Sequence, residues 1–148
     1  MRDSFHDDLD GIGVSLVEMG HLVNKAMERA TTALLTADLK VAEEIISEDD
    51  AIDEMQHDIE ARAINLMARQ QPVAGDLRTL VTSLRMSADL ERMGDLAHHV
   101  AKLTRMRYPS AAVPPELVLT LQEMGNVTAR ITKKAIGVIE SRDLEAAL

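Results

Sequence analysis

A chain of 148 residues with 46% apolar side chains is long enough for one domain with a real core, which excludes an intrinsically disordered segment. A formal charge of −9 with Phe5 and Tyr108 as the only aromatics excludes the basic face and stacking platforms of a nucleic-acid binder. Zero cysteines exclude disulfides, thiolate metal sites and cysteine nucleophiles, and no apolar run approaches the roughly 18–20 residues of a membrane span.

The N-terminus carries Asp3, His6, Asp7, Asp8 and Asp10 without an apolar stretch, so it reads as no signal peptide and the expected location is the cytoplasm. From there Leu9, Ile12, Leu16, Met19, Val23, Ala26, Ala30, Ala33 and Ala37 step by three and four, a coiled-coil-like seam. The second half of that seam is alanine, so a partner helix can approach closely there. Asp38 reads as an N-cap for a second helix opening at Leu39, along which Ile45, Ile52, Ile59 and Leu66 recur every seven residues. Pro72 and Gly75 end this helix, and Asp76 is expected to cap a third that runs to about Arg107. Residues 108–115, with three prolines, read as an irregular linker. A fourth helix follows, with Leu117, Leu121, Met124, Thr128, Ile131, Ala135 and Val138 on one stripe. No segment alternates with period two, so no strand is expected.

Residues 16–42 align without gaps on 121–147, a constant offset of 105. Leu16, Glu18, Met19 and Gly20 pair with Leu121, Glu123, Met124 and Gly125, and Asp38-Leu39 pairs with Asp143-Leu144. Such matches point to two copies of a three-helix unit. The expected fold is all-α: an antiparallel three-helix bundle over 1–108, a linker over 109–115, and at 116–148 the first helix of a second, repeat-related bundle, left incomplete.

Two carboxylate pairs stand out, Asp49 with Asp53 and Glu91 with Asp95. Each has i,i+4 spacing, which stacks like charges on one helix face at a cost of roughly 0.2–0.5 kcal/mol per pair. Gly94, inside the second pair, costs about 1 kcal/mol relative to alanine in a helix interior. With a turn near 71–75, antiparallel partners sum to roughly 145, so the two pairs meet at one height. Carboxylates without cysteine suit hard or borderline cations such as iron, manganese, magnesium, calcium or zinc. Glu91 and Asp95 continue the stripe of Leu77, Val81, Leu84 and Ala88, opposite Met86, Leu90, Met93, Ala97 and Val100. They therefore border the bundle surface. Spacing alone leaves two readings open, a cation site or an acidic solvated face with Gly94 helping helices pack.

A rival constellation is the pair of Glu-x-x-His motifs, Glu18/His21 and Glu54/His57, the spacing used by di-metal helix-bundle oxidases and metal stores. Both motifs point away from their apolar seams, whereas a ferritin-like site projects inward. His98 and His99 follow Asp95 by one turn and read mainly as surface residues. Lys102, Arg105 and Arg107 suit the C-terminal end of a helix dipole. No nucleophilic triad or phosphate-cradling glycine loop is present, so no enzyme active site is expected.

The segments Ala68-Arg69-Gln70-Gln71-Pro72-Val73-Ala74-Gly75-Asp76-Leu77-Arg78, Ala88-Asp89-Leu90-Glu91-Arg92-Met93-Gly94-Asp95 and Glu48-Asp49-Asp50-Ala51-Ile52-Asp53 together resemble the PhoU family of phosphate-signalling proteins. The resemblance covers essentially the whole chain and implies tandem three-helix bundles. It further implies a multinuclear iron or zinc cluster on acidic i,i+4 motifs, which by motif match fall at Asp49, Asp53, Glu91 and Asp95. It implies a non-enzymatic, homodimeric adaptor. Such a protein restrains the phosphate ABC transporter, through its ATPase, and the sensor histidine kinase of the phosphate two-component system, with peripheral membrane association. The family usually continues His-Ala-x-Asn after Gly-Asp, where this chain has Leu96-Ala97-His98-His99.

Overall fold

The computed structural model describes residues 2–143, 145 and 147; Met1, Leu144, Ala146 and Leu148 lie outside it, as do the side chains of Arg2, Asp3 and Asp49. The described residues form α1 (Arg2–Thr36), α2 (Leu39–Ser47), α3 (Asp49–Gln70), α4 (Ala74–Arg107), a 3-10 turn (Pro115–Leu117) and α5 (Val118–Ser141), with no strand among them. This is the expected all-α bundle. α1 runs antiparallel to α2 and α3, α4 returns alongside α1, and α5 descends on the other side of α1.

The α1 seam holds as the spacing predicts. Leu9, Ile12, Leu16, Met19, Val23, Ala30 and Ala33 are all buried. Its larger residues join Ile52, Ile59, Leu66, Leu80 and Leu90 in one core. Its alanines form a second core with Ala42, Ile45, Ala97 and Ala101. Small residues on both helices let α1 and α4 approach closely; the buried seam of α4 is Leu80, Ser83, Ser87, Leu90, Gly94, Ala97, Ala101 and Thr104. α4 makes the most extensive packing that α1 has.

The turn after α1 is compact because neighbouring residues serve two helices. Ala37 adopts the left-handed conformation at φ 53°, and the Asp38 N–H donates to the Ala33 carbonyl at 3.0 Å, closing a Schellman motif. The Asp38 carboxylate then accepts from the Val41 N–H at 3.1 Å, the N-cap expected for α2.

Two helix boundaries differ from expectation. The helix opening at Leu39 is interrupted at Glu48, which sits at φ −88°, ψ −4° as the last cap of α2 and the first of α3. The Glu48 N–H is shared between the carbonyls of Glu44 and Ile45, the tightened end of a helix that has stopped. Arg29 on α1 bridges the break, donating to Glu44 at 2.7 Å and to Glu48 at 2.6 Å. The interruption puts Asp49 and Asp50 in the first turn of α3, where the helix dipole favours negative charge. The seven-residue isoleucine spacing hides it, because Ile45 and Ile52 remain buried on either side. The second difference is the start of α4. Val73 occupies the cap position and Asp76 lies inside the first turn, its N–H bonded to the Val73 carbonyl at 3.2 Å.

α5 buries a different face from the one named by its apolar stripe. Ala129, Thr132 and Ile136 are buried, while Met124 is 58% and Ile131 61% exposed, and Thr128 and Ala135 are exposed. The contact with α1 explains this. A methyl group at Gly20 would stand 2.8 Å from Ile136, and one at Gly125 would stand 2.6 Å from Thr31. The repeat offset of 105 carries Gly20 to Gly125 and Thr31 to Ile136, so the two contacts exchange under it. The ion pair of Glu28 with Lys133, at 2.7 Å, maps onto itself. α1 and α5 therefore cross as the two equivalent members of a pseudo-twofold pair, drawn close by a matched glycine on each.

Gly125→Ala gains about 1 kcal/mol of helix propensity, yet overpacking against Thr31 costs about 1–3 kcal/mol. Urea denaturation is expected to show net destabilisation of about 1 kcal/mol, reversed to stabilisation in a Thr31→Ala background; strictly additive effects would contradict the close approach. Arg29→Ala leaves two carboxylates facing each other beside the helix break. Because all three groups are partly exposed, the expected loss is about 1 kcal/mol at low salt, shrinking towards zero in about 1 M NaCl.

Candidate metal centre

The carboxylates singled out by their spacing lie on α3 and α4, and a single apolar contact sets their relative height. Ile52 is buried against Gly94, where an added Cβ would come within 3.0 Å of Cδ1 and 3.2 Å of Cγ2. This seat for Ile52 accounts for a glycine in the middle of a 34-residue helix. It fixes residue 52 level with residue 94, close to the register expected from the turn. Asp53 follows Ile52 directly, and Glu91 and Asp95 lie about 60° and 100° around α4 from Gly94, on the same side.

Asp53, Glu91 and Asp95 are each half-buried, at the border between core and solvent. That agrees with the helical-face argument, which places them outside the bundle centre. The flanking stripe named with them is mostly outward, with Leu77 41% and Val81 37% exposed. Asp49 is the first residue of α3, and its side chain lies outside the described set. Among the described residues no three His, Asp or Glu side chains come together in a way that holds a metal ion. Asp53, Glu91 and Asp95 share a level and a side of the bundle but do not by themselves converge on one ion, and Asp49 lies outside the described side chains. By type the four fit a hard or borderline cation, all being oxygen donors on two helices held in register by Ile52, and the three described ones, Asp53, Glu91 and Asp95, are half-shielded from water.

A cavity of about 250 Å³ lies between the helices, lined by Lys25, Arg29, Glu48, Ile52, Gly94 and His98 among others. Asp53, Glu91 and Asp95 do not line it, so it is separate from the acidic face. His98 is turned into this space with both ring nitrogens shielded from solvent, in contrast to the surface position expected for it. His99 remains exposed. No local pattern announces this cavity, because Arg29 and His98 meet only when the helices assemble. The run Glu48-Asp49-Asp50 is the legible signal for the break beside it, since consecutive acids mark a helix start.

The rival motifs are not brought inward. Glu18, His21, Glu54 and His57 are all exposed, and a di-metal oxidase centre needs its ligands inside the bundle. The structure gives that alternative no support. At the far end of α4, Arg105 and Arg107 are exposed in the last turn, where cations complement the helix dipole. No helix among the described residues is long and apolar enough to cross a membrane.

Comparison with known proteins agrees along nearly the whole chain. The model of the PhoU domain matches residues 16–104. A phosphate-specific transport system accessory protein PhoU homolog 2 from Mycobacterium tuberculosis is 45% identical over 147 residues, covering 99% of this chain and 69% of that protein. PhoU homolog 1 from Mycobacterium leprae is 43% identical over 147 residues, covering 99% of this chain and 66% of its own length. Among solved structures, PhoU from Pseudomonas aeruginosa superposes with a TM-score of 0.89 at 28% identity, covering 97% of this chain and 68% of that one. The phosphate transport system regulatory protein PhoU from Streptococcus pneumoniae superposes with a TM-score of 0.85 at 28% identity, covering 97% and 66%. The chain thus spans about two thirds of the length of these relatives. With one domain model matched over most of the first bundle, and relatives matched from end to end of the sequence, this chain belongs to the PhoU family.

Proposed function

We propose that this chain is a non-enzymatic accessory regulator of phosphate uptake. It acts in the cytoplasm as an adaptor between the phosphate ABC transporter ATPase and the sensor histidine kinase of the phosphate two-component system, restraining both when phosphate is plentiful. The observation that carries this reading is the 45% identity over 147 residues to a protein named as a phosphate-specific transport system accessory protein. A sequence without a nucleophilic triad or phosphate-cradling loop agrees with a binding role. The chain works as a homodimer, peripheral to the membrane through its partners.

In this reading Asp49, Asp53, Glu91 and Asp95 hold a multinuclear iron or zinc cluster. When bound, the cations supply positive charge that offsets the like-charge repulsion of the i,i+4 pairs. The chain's own residues do the rest. The break at Glu48 sets Asp49 at the head of α3, Ile52 seated on Gly94 keeps Asp53 level with Glu91 and Asp95, and Arg29 restrains the bend. A cluster held this way ties α3 to α4 from outside the bundle.

Two measurements test the proposal. Elemental analysis of the purified chain is expected to find iron or zinc in the wild type and at least about tenfold less in Glu91→Ala/Asp95→Ala, in line with the loss of two ligands. Equal metal in both would sink the site while leaving the fold intact. Affinity capture in high phosphate with metal supplied is expected to recover the transporter ATPase or the sensor kinase; recovery of neither would overturn the adaptor role.

A further inference from the structure

The last turns of α4 and the linker behind them depart from the acidity of the rest of the chain. Residues 96–115 contain no aspartate or glutamate but include Lys102, Arg105 and Arg107, in a protein of formal charge −9. The same segment turns its large apolar side chains to solvent. Leu96, Leu103, Met106 and Tyr108 are all more than half exposed, Met106 at 76%. At about 100° per residue, Leu96, His99, Leu103, Met106 and Arg107 fall within an arc of about 100° on α4, with Lys102 on its flank. The buried seam of Leu90, Gly94, Ala97, Ala101 and Thr104 lies on the opposite side of the helix. Among the described residues α4 packs on α1, α2 and α3 and not on α5, so this line belongs to the outer side of the first bundle.

The helix dipole accounts for the cations alone. It favours lysine and arginine in a last turn, yet it gives no reason for large apolar side chains to stand exposed among them. Nor does it explain the lack of acids through the linker to Pro115. Cations and exposed apolar groups mixed on one helix face mark a contact with an anionic surface. Shape selects the kind of surface. A protein partner receives its anchors in pockets, whereas these stand in single file along a ridge about 18 Å long from Leu96 to Tyr108. Lysine and arginine stems beside them can lie along apolar surface with their charged ends in water, and a tyrosine presents an apolar body with a polar tip.

We propose that this face of α4 binds an anionic lipid bilayer directly. Leu103, Met106 and Tyr108 enter the headgroup boundary, and Lys102, Arg105 and Arg107 pair with lipid phosphates. The acidity of the remaining chain does not prevent this, because charges more than about 8 Å from the bilayer are screened at physiological ionic strength. The contact goes beyond the adaptor reading, in which partners hold the chain at the membrane. It depends neither on that reading nor on the carboxylates of α3 and α4, and the purified chain suffices to test it.

In co-sedimentation, the chain is expected to bind phosphatidylcholine vesicles holding about 30% phosphatidylglycerol and not vesicles of phosphatidylcholine alone. Binding should disappear in about 0.5 M NaCl. Lys102→Ala/Arg107→Ala should weaken partitioning about 25-fold, since each cation near an anionic bilayer contributes about fivefold. Arg130→Ala/Lys134→Ala, which removes the same charge from exposed positions on α5, should leave it unchanged. Tyr108 is the only tyrosine and the chain has no tryptophan, so its fluorescence reports on this face alone. Brominated phosphatidylcholine in the anionic vesicles is expected to quench it, and to quench it less in Met106→Ser. Circular dichroism matching wild type separates lost binding from lost folding in each variant. Failure to sediment with anionic vesicles, equal sedimentation with both kinds, unquenched Tyr108 or full binding by Lys102→Ala/Arg107→Ala would overturn the proposal. A wild type that ignores vesicles, with a Lys102→Ala/Arg107→Ala variant that no longer captures the transporter ATPase or the sensor kinase, would overturn it in favour of a protein-docking face.

Discussion

The two-sided burial of α1 is the constraint on which the rest of the molecule depends. One face, built from Leu9 to Ala33, receives α2, α3 and α4, and a second face around Gly20 and Thr31 receives α5. A helix of 35 residues is about 52 Å long, so it can hold two packing surfaces at different angles along most of its length. The choice of side chain along α1 sets the distance to each partner. Leucine, methionine and valine hold the first half of α4 and α3 at ordinary spacing. Alanine draws the second half of α4 closer, and glycine lets Ile136 of α5 lie against the backbone. The bundle therefore tapers from a leucine-rich end to an alanine-rich one. That taper needs no aromatic residue in the core beyond Phe5.

The acidic face is a consequence of how this packing is arranged on the far side of α1. Ile52 inserts into the notch at Gly94 and makes α3 and α4 register at that height, so the carboxylates beside them share a level. Arg29 works from the other direction. Its guanidinium takes up the charge of Glu44 and Glu48 and holds the interruption that begins α3 at Asp49. One cation from α1 and one isoleucine from α3 thus position the acidic residues of the candidate site. Like charges brought together at a helix start and on a neighbouring helix are tolerated because the dipole offsets the first group and partial exposure screens the second.

Much of this architecture is legible in the order of residues. The three-and-four spacing from Leu9 to Ala33, the cap at Asp38 and the end of α4 at Arg107 are all local signals, and each holds. The repeat is legible too, because an offset of 105 with matched glycines survives in sequence whatever the helices pack against. Other features are not. The heptad run of isoleucines passes through the break at Glu48 because burial of Ile45 and Ile52 is the same with or without it. Asp76 has the composition of a cap, yet the backbone begins its helix two residues earlier at Ala74. His98 has the sequence setting of a surface residue, yet four helices enclose a space into which its ring turns.

The apolar pattern along a helix states how much surface must be covered, and the sequence by itself determined that for every helix here. It determined the all-α class, the long antiparallel helices and the internal repeat. Only the tertiary structure decided which face each helix commits to which neighbour. On α5 it decided that Ala129, Thr132 and Ile136 form the face turned to α1, because the matched glycines at 20 and 125 let that face come close. On α4 it decided that Gly94 is a seat for an isoleucine, since a missing side chain acquires its meaning from the atom that fills the gap. Hydrophobicity is a property of a residue and close approach is a property of a pair, so the first can be read along the chain and the second requires both helices in place.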